Sequence, residues 1–124
     1  MLDHVSIGVR DIHRTKRFYD EALKQLGYTC LTVIEGTLGY GRDVVALWIN
    51  AVEHPVPPDM KSGLHFCFAA PSRSSVDAFH AAALDNGGRD NGKPGLRESY
   101  GPDYFAAFVK DPDGYRLEAY SARK

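Results

Sequence analysis

Three scarcities in this 124-residue chain each remove a class of protein. There are two cysteines, Cys30 and Cys67, too few for a disulfide scaffold and without metal-motif spacing. Both sit in apolar stretches and read as small buried thiols in a reducing compartment. Excess charge of one sign is missing as well. Fifteen Lys and Arg against sixteen Asp and Glu give a net charge of −1, and no basic stripe points to nucleic acid or to an anionic membrane surface. Long apolar runs are absent: no stretch approaches a membrane span, and Met1–Val5 enters an apolar alternation without the basic and apolar regions of a secretion signal. The expectation is a cytoplasmic protein with no nucleic-acid or membrane partner. What remains is ordinary globular material, 44% hydrophobic and 25% charged. One domain of this length buries roughly two-thirds of the surface its unfolded chain exposes.

The chain repeats itself once. Adding 61 to residue numbers in the first half superposes His4 on His65, Val5 on Phe66, Ile7 on Phe68, Phe18 on Phe79, Ala22 on Ala83, Leu23 on Leu84 and Gly27 on Gly88. Each half opens with an apolar alternation, Leu2 to Val9 and then Gly63 to Ala69. Each turns at a helix-start signal, Asp11 or Pro71-Ser72, and continues as an amphipathic helix. Ile12, Phe18, Ala22, Leu23 and Leu26 mark the first apolar face; Val76, Phe79, Ala83 and Leu84 mark the second. Gly27 and Gly87-Gly88 end the helices. Strand signals follow at Tyr28–Glu35, Leu38–Tyr40 and Val44–Asn50, and again, weakly, at Arg89–Asn91, then at Tyr104–Lys110 and Tyr115–Tyr120. The proline-dense stretch from Glu53 to Asp59 reads as a linker. The expected organisation is a single α+β domain over 1–124: repeat unit one at 1–50, a linker at 51–62 and repeat unit two at 63–124. Each unit is βαβββ, and their mixed sheets curl together around a shared trough.

Strand alternation sorts the side chains. Val5, Ile7 and Val9 lie on the helix side of the first strand, leaving His4, Ser6 and Gly8 for the other. In the equivalent strand Leu64, Phe66 and Phe68 pack, while His65, Cys67 and Ala69 face the trough. In the last strand Arg116, Glu118 and Tyr120 alternate with Tyr115, Leu117 and Ala119. A mid-strand glutamate between Leu117 and Ala119 is costly unless paired or bound to a cation. A lone strand histidine is usually just hydrogen-bonded. Here the repeat sets two histidines at equivalent positions, with a carboxylate on a closing strand. Convergence of His4, His65 and Glu118 would make a site for Zn(II), Fe(II), Mn(II), Ni(II) or Co(II) with positions left open for substrate. His54 and His80 fall outside the trough, on solvated loop or helix surface.

These residues also carry a resemblance. Leu2-Asp3-His4-Val5-Ser6-Ile7-Gly8-Val9 with Asp11 and Phe18-Tyr19 resembles the opening of the vicinal-oxygen-chelate superfamily, which includes glyoxalase I, bleomycin-resistance proteins, fosfomycin-resistance enzymes and extradiol dioxygenases. Gly63-Leu64-His65-Phe66 resembles its central metal strand, and Phe108 through Glu118 its C-terminal signature. The resemblance implies a glyoxalase-like fold with His4, His65 and Glu118 as metal ligands. Many members place a fourth ligand on the last strand of the first half; here Trp48 takes that position, which disfavours glyoxalase I activity. Gly95 to Gly101 does not match the potassium loop of the fosfomycin enzymes. A metal with open coordination binding two substrate oxygens is the chemistry common to the superfamily. The expectation is a metalloenzyme of lyase, thiol-transferase or dioxygenase type on a small oxygenated molecule. Trp48, Tyr104 and Tyr120 would shape the pocket, and Ser6 and Arg116 would donate to substrate. The alternative is a non-catalytic protein that sequesters a drug or metabolite, as bleomycin-resistance proteins do. Short two-unit members are often dimers with shared sites. With the proline-bearing linker, this gives the expectation of a homodimer whose sites take His65 and Glu118 from one chain and His4 from the other.

Overall fold

A computed structural model describes residues 1–57 and 59–124; Pro58 of the linker lies outside the described residues. In the first half, strand β1 (Val5–Val9) leads into helix α1 (Ile12–Lys24), followed by β2 (Thr29–Ile34), β3 (Thr37–Gly41) and β4 (Val45–Ala51). The second half repeats the order with β5 (Phe66–Ala69), α2 (Arg73–Asp85), β6 (Arg89–Leu96), β7 (Phe105–Lys110) and β8 (Arg116–Ser121). This is an α+β architecture of two βαβββ units, as the repeat predicts.

Local chemistry sets the boundaries. The Asp11 carboxylate accepts from the backbone N–H groups of His13 and Arg14, satisfying two of the donors that a helix N-terminus leaves free. Ser72 does the same for α2 and closes a capping box with Ser75. Gly27 (φ +87°) and Gly87 (φ +97°) supply the left-handed residue beyond each helix. The +61 register matched Gly27 to Gly88, but Gly88 is there for another reason. A Cβ on it would lie 2.6 Å from the Phe18 ring and 2.8 Å from the Ala83 carbonyl oxygen.

Each half forms a four-stranded mixed sheet, ordered β1-β4-β3-β2 and β5-β8-β7-β6, so that β1 and β5 are both edge strands. Within each sheet the opening strand runs parallel to the closing one. The two sheets do not close on one another within the chain. Instead α1 and α2 pack together, each against its own sheet. One apolar core runs through both halves and includes Phe18, Leu23, Leu26, Ile49, Phe79 and Leu117. Burying side chains of this size contributes about 1.5–3 kcal/mol each before entropy is counted. Polar ties cross the seam. The Tyr19 hydroxyl donates to Asp111 (2.5 Å), the Tyr115 hydroxyl to the Gly8 carbonyl (2.7 Å) and the Tyr28 hydroxyl to the Ala69 carbonyl (2.9 Å), while Asp113 accepts from Arg10 N and from Arg14.

Several expectations change. The short weak segment at Arg89–Asn91 is an eight-residue strand, β6, broken by register shifts near Gly92 and Gly95. The β5 ladder begins only at Phe66, and Leu64, expected in the packed face, is half exposed. Leu84 is 40% exposed, so it does not belong to the buried face of α2. His80 is not on solvated surface: it is buried on α2, with Nε2 2.9 Å from Asp90 Oδ1. Neither cysteine is a buried thiol. Cys30 is partly covered and Cys67 is exposed.

Candidate metal centre

The β5–β8 ladder brings two of the candidate residues together. Cys67 pairs with Glu118 in parallel register, which brings His65, two residues before it on the same face, beside the glutamate. Glu118 is 3% exposed, flanked in its own strand by the buried Leu117 and Ala119. A carboxylate there is costly unless its oxygens are satisfied, and both are. Oε1 lies 2.9 Å from His65 Nε2, and Oε2 accepts from the Tyr104 hydroxyl at 2.5 Å. Tyr104 in turn stacks on Tyr120, with ring centroids 4.0 Å apart, and meets the edge of Tyr100 at 5.2 Å. Burial, reinforced by Glu118, pushes the Tyr104 hydroxyl well above the usual phenol range. The Cys67 thiol is raised by the wall of the cavity around its sulfur and by the neighbouring Glu118, although the residue as a whole is exposed.

The donor set suits a divalent ion. Two donors about 2.1 Å from an ion at right angles sit about 3.0 Å apart, close to the 2.9 Å between His65 Nε2 and Glu118 Oε1. A neutral imidazole and a carboxylate are ligands that Zn, Fe, Mn, Ni and Co all accept. Within one chain, however, the set stops at two. Among the described residues no group of three His, Cys, Asp or Glu side chains is arranged to hold a metal ion. His4 lies just before β1, exposed, with Nδ1 2.7 Å from Asp3 Oδ1.

The first half carries the matching frame without the carboxylate. Ser6 pairs with Trp48 as Cys67 pairs with Glu118, so Trp48 occupies the Glu118 position of its own sheet. Its indole lies across Gly39, where an added Cβ would approach the ring to 2.8 Å. Indole offers a divalent ion no lone pair. Ser6 is exposed on β1, on the face opposite Ile7 and Val9. Arg116 is occupied elsewhere: Nε donates to the Leu64 carbonyl and Nη1 to the Met60 carbonyl, anchoring the linker to β8.

A cavity of about 390 Å³ opens next to His65, between the two halves, with Leu2, Val5, Leu47, Phe66 and Phe68 in its wall. Trp48, Tyr104 and Tyr120 do not line it. The pairing that sequence reasoning missed is Tyr104 with Glu118. Its signal was faint: a tyrosine just ahead of β7, whose hairpin partner β8 carries the glutamate. Among the described residues no helix is long and apolar enough to cross a membrane.

Comparison with known proteins agrees with this frame. The family model described as Glyoxalase/Bleomycin resistance protein/Dioxygenase superfamily matches residues 1–119. The chain is 26% identical to the uncharacterized protein YqjT of Bacillus subtilis (strain 168), over 94% of this chain and 95% of that one. It is 32% identical to a glyoxalase/bleomycin resistance protein from Albidiferax ferrireducens T118, whose crystal structure superposes with a TM-score of 0.81 over 94% of each chain. A glyoxalase-related enzyme from Fulvimarina pelagi shares the fold, with a TM-score of 0.76 at 16% identity, over 97% of this chain and 86% of that one. Two βαβββ units, a His–Glu pair on the β5–β8 ladder and a matching family model over nearly the whole length lead to one conclusion: the chain belongs to the glyoxalase/bleomycin resistance protein/dioxygenase superfamily.

Proposed function

We propose that this chain is a divalent-metal-dependent enzyme acting on a small oxygenated molecule, in a lyase, thiol-transferase or dioxygenase type of reaction. The observation that carries this reading is Glu118, a carboxylate 3% exposed in the middle of a strand, with His65 Nε2 at 2.9 Å. A bound ion would supply Lewis-acid stabilisation of negative charge developing on substrate oxygens. The chain's own groups do the rest. His65 and Glu118 would hold the ion, and Tyr104 fixes the carboxylate.

The third ligand in this reading is His4 of a second copy. β1 and β5 both leave an edge unpaired, and a two-fold pairing of the β1 edge of one chain with the β5 edge of another would carry His4 towards His65. The proposed assembly is therefore a homodimer with two shared sites. Sequestration of a small molecule without catalysis is favoured by a separate observation, the largely apolar 390 Å³ cavity beside His65.

Metal analysis separates the two. Protein purified without chelators is expected to carry about one divalent ion per chain, and His4→Ala, His65→Ala and Glu118→Ala are each expected to weaken binding at least tenfold while the fold survives. Three variants that bind metal as the parent does would sink the ligand assignment. A parent that takes up no divalent ion would leave sequestration as the function.

A further inference from the structure

Glu118 has two oxygens, and the structure treats them differently. Oε1 meets His65 Nε2 at 2.9 Å, whereas Oε2 is taken by the Tyr104 hydroxyl at 2.5 Å. The phenol is not a loose neighbour. Its ring is stacked on Tyr120 at 4.0 Å with the planes 23° apart, and Tyr100 closes its edge at 5.2 Å. Its backbone is pinned too: Tyr104 O accepts from Arg97 N at 2.7 Å, and Tyr104 N donates to Gly101 O at 3.4 Å. The following residue, Phe105, pairs with Ser121, which sets Tyr104 beside the end of β8. A hydroxyl held this way is a preorganised donor, and a charge-assisted O–H to carboxylate bond is among the stronger hydrogen bonds in proteins.

We propose that Tyr104 is a positioning residue rather than a substrate-binding one: by holding Oε2 it makes Glu118 a one-oxygen ligand and keeps a coordination position open for a substrate oxygen. This rests on the metal reading above. A carboxylate can take one or two positions on a divalent ion, and the partner of its second oxygen decides which. With only three protein ligands, one position matters. A substrate that chelates through two neighbouring oxygens needs two adjacent free positions, and a two-oxygen Glu118 would compete for one of them.

The test uses the full chain loaded with Co(II) and a small hydroxamate as the bidentate probe. Tyr104→Phe keeps the ring and its stack and removes only the hydroxyl. The metal-minus-apo infrared difference spectrum reads the splitting between the asymmetric and symmetric carboxylate stretches, wide for one-oxygen and narrow for two-oxygen ligation. In Tyr104→Phe the splitting is expected to narrow, the visible Co(II) bands to weaken as the coordination number rises, and hydroxamate affinity to fall about tenfold. Tyr120→Leu keeps the hydroxyl but frees the ring, and is expected to shift all three readouts the same way by less; it carries the test if Tyr104→Phe does not fold. A folded variant with parental splitting, parental bands and parental hydroxamate affinity overturns the role of Tyr104 and leaves the metal site standing. A parent that binds no Co(II) overturns the metal reading, and this inference with it.

Discussion

Asp111 lies in an environment that its sequence position does not suggest. In Asp111-Pro112-Asp113-Gly114 it reads as an ordinary turn aspartate, yet it is 1% exposed. Burial raises its carboxyl to about 6, although the Tyr19 hydroxyl and the backbone N–H groups of Tyr115 and Asp113 favour the charged form. Between about pH 4 and pH 6 the folded state binds a proton that the unfolded state has already released, so this group's contribution to stability is full below pH 4 and is lost as pH rises through 6. The loss amounts to up to about 3 kcal/mol. Asp111→Asn is expected to remove that slope, and the difference between parent and variant in urea unfolding at pH 4.5 and pH 7.5 measures it. An identical pH dependence in both proteins would show that Asp111 does not titrate in this window. His80 was legible in principle. It stands four residues after Val76 and three before Ala83, on the apolar stripe of α2. Cys67 is the reverse case: alternation put it on the trough face, its apolar neighbours suggested burial, and alternation was the better guide.

At the scale of elements, the helices and most strands were readable because their signals are local. Asp11 and Ser72 cap where their side chains can reach the first free N–H groups, and hydrophobic period alone separates helix from strand. β6 was hard to read for a physical reason. Arg-Asp-Asn-Gly-Lys-Pro-Gly-Leu has poor strand propensity, and it is a strand because β7 offers it a ladder that tolerates two register shifts. The glycines after the helices divide two jobs that sequence could not assign. Gly87 takes the positive φ, and Gly88 lets β6 start against Phe18. Gly88→Ala is therefore expected to cost about 1–3 kcal/mol, because the added methyl meets both a fully buried ring and the backbone oxygen of Ala83. Gly63→Ala has only its φ of +78° to overcome and nothing within 4 Å, so about 1 kcal/mol is expected there. Chemical denaturation of both variants checks the order, and a Gly88→Ala protein as stable as the parent would refute the close-packing account.

For the molecule as a whole, the repeat was legible from matched residues, and so was the pairing of His65 with Glu118. The position of the helices was not. They pack on each other between the halves, and among the described residues His4 does not join His65 and Glu118 in one cluster. Residue spacing carries no information on which sheet edges meet across chains, and the cross-chain site remains a proposal for which mixing is the test. Under conditions where subunits exchange, His4→Ala protein and Glu118→Ala protein, each deficient alone, are expected to regain part of the parental metal binding. In a shared-site heterodimer one centre lacks both ligands and the other is intact. Demonstrated exchange with no recovered binding rules the arrangement out. The register that sets Trp48 where Glu118 stands in the other sheet has a further consequence. The two equivalent frames carry different contents, a carboxylate in one and an indole in the other. Trp48 spends its ring on covering Gly39, whereas Glu118 offers oxygens to His65 and Tyr104, so the two sheets are alike in backbone and no longer interchangeable in chemistry.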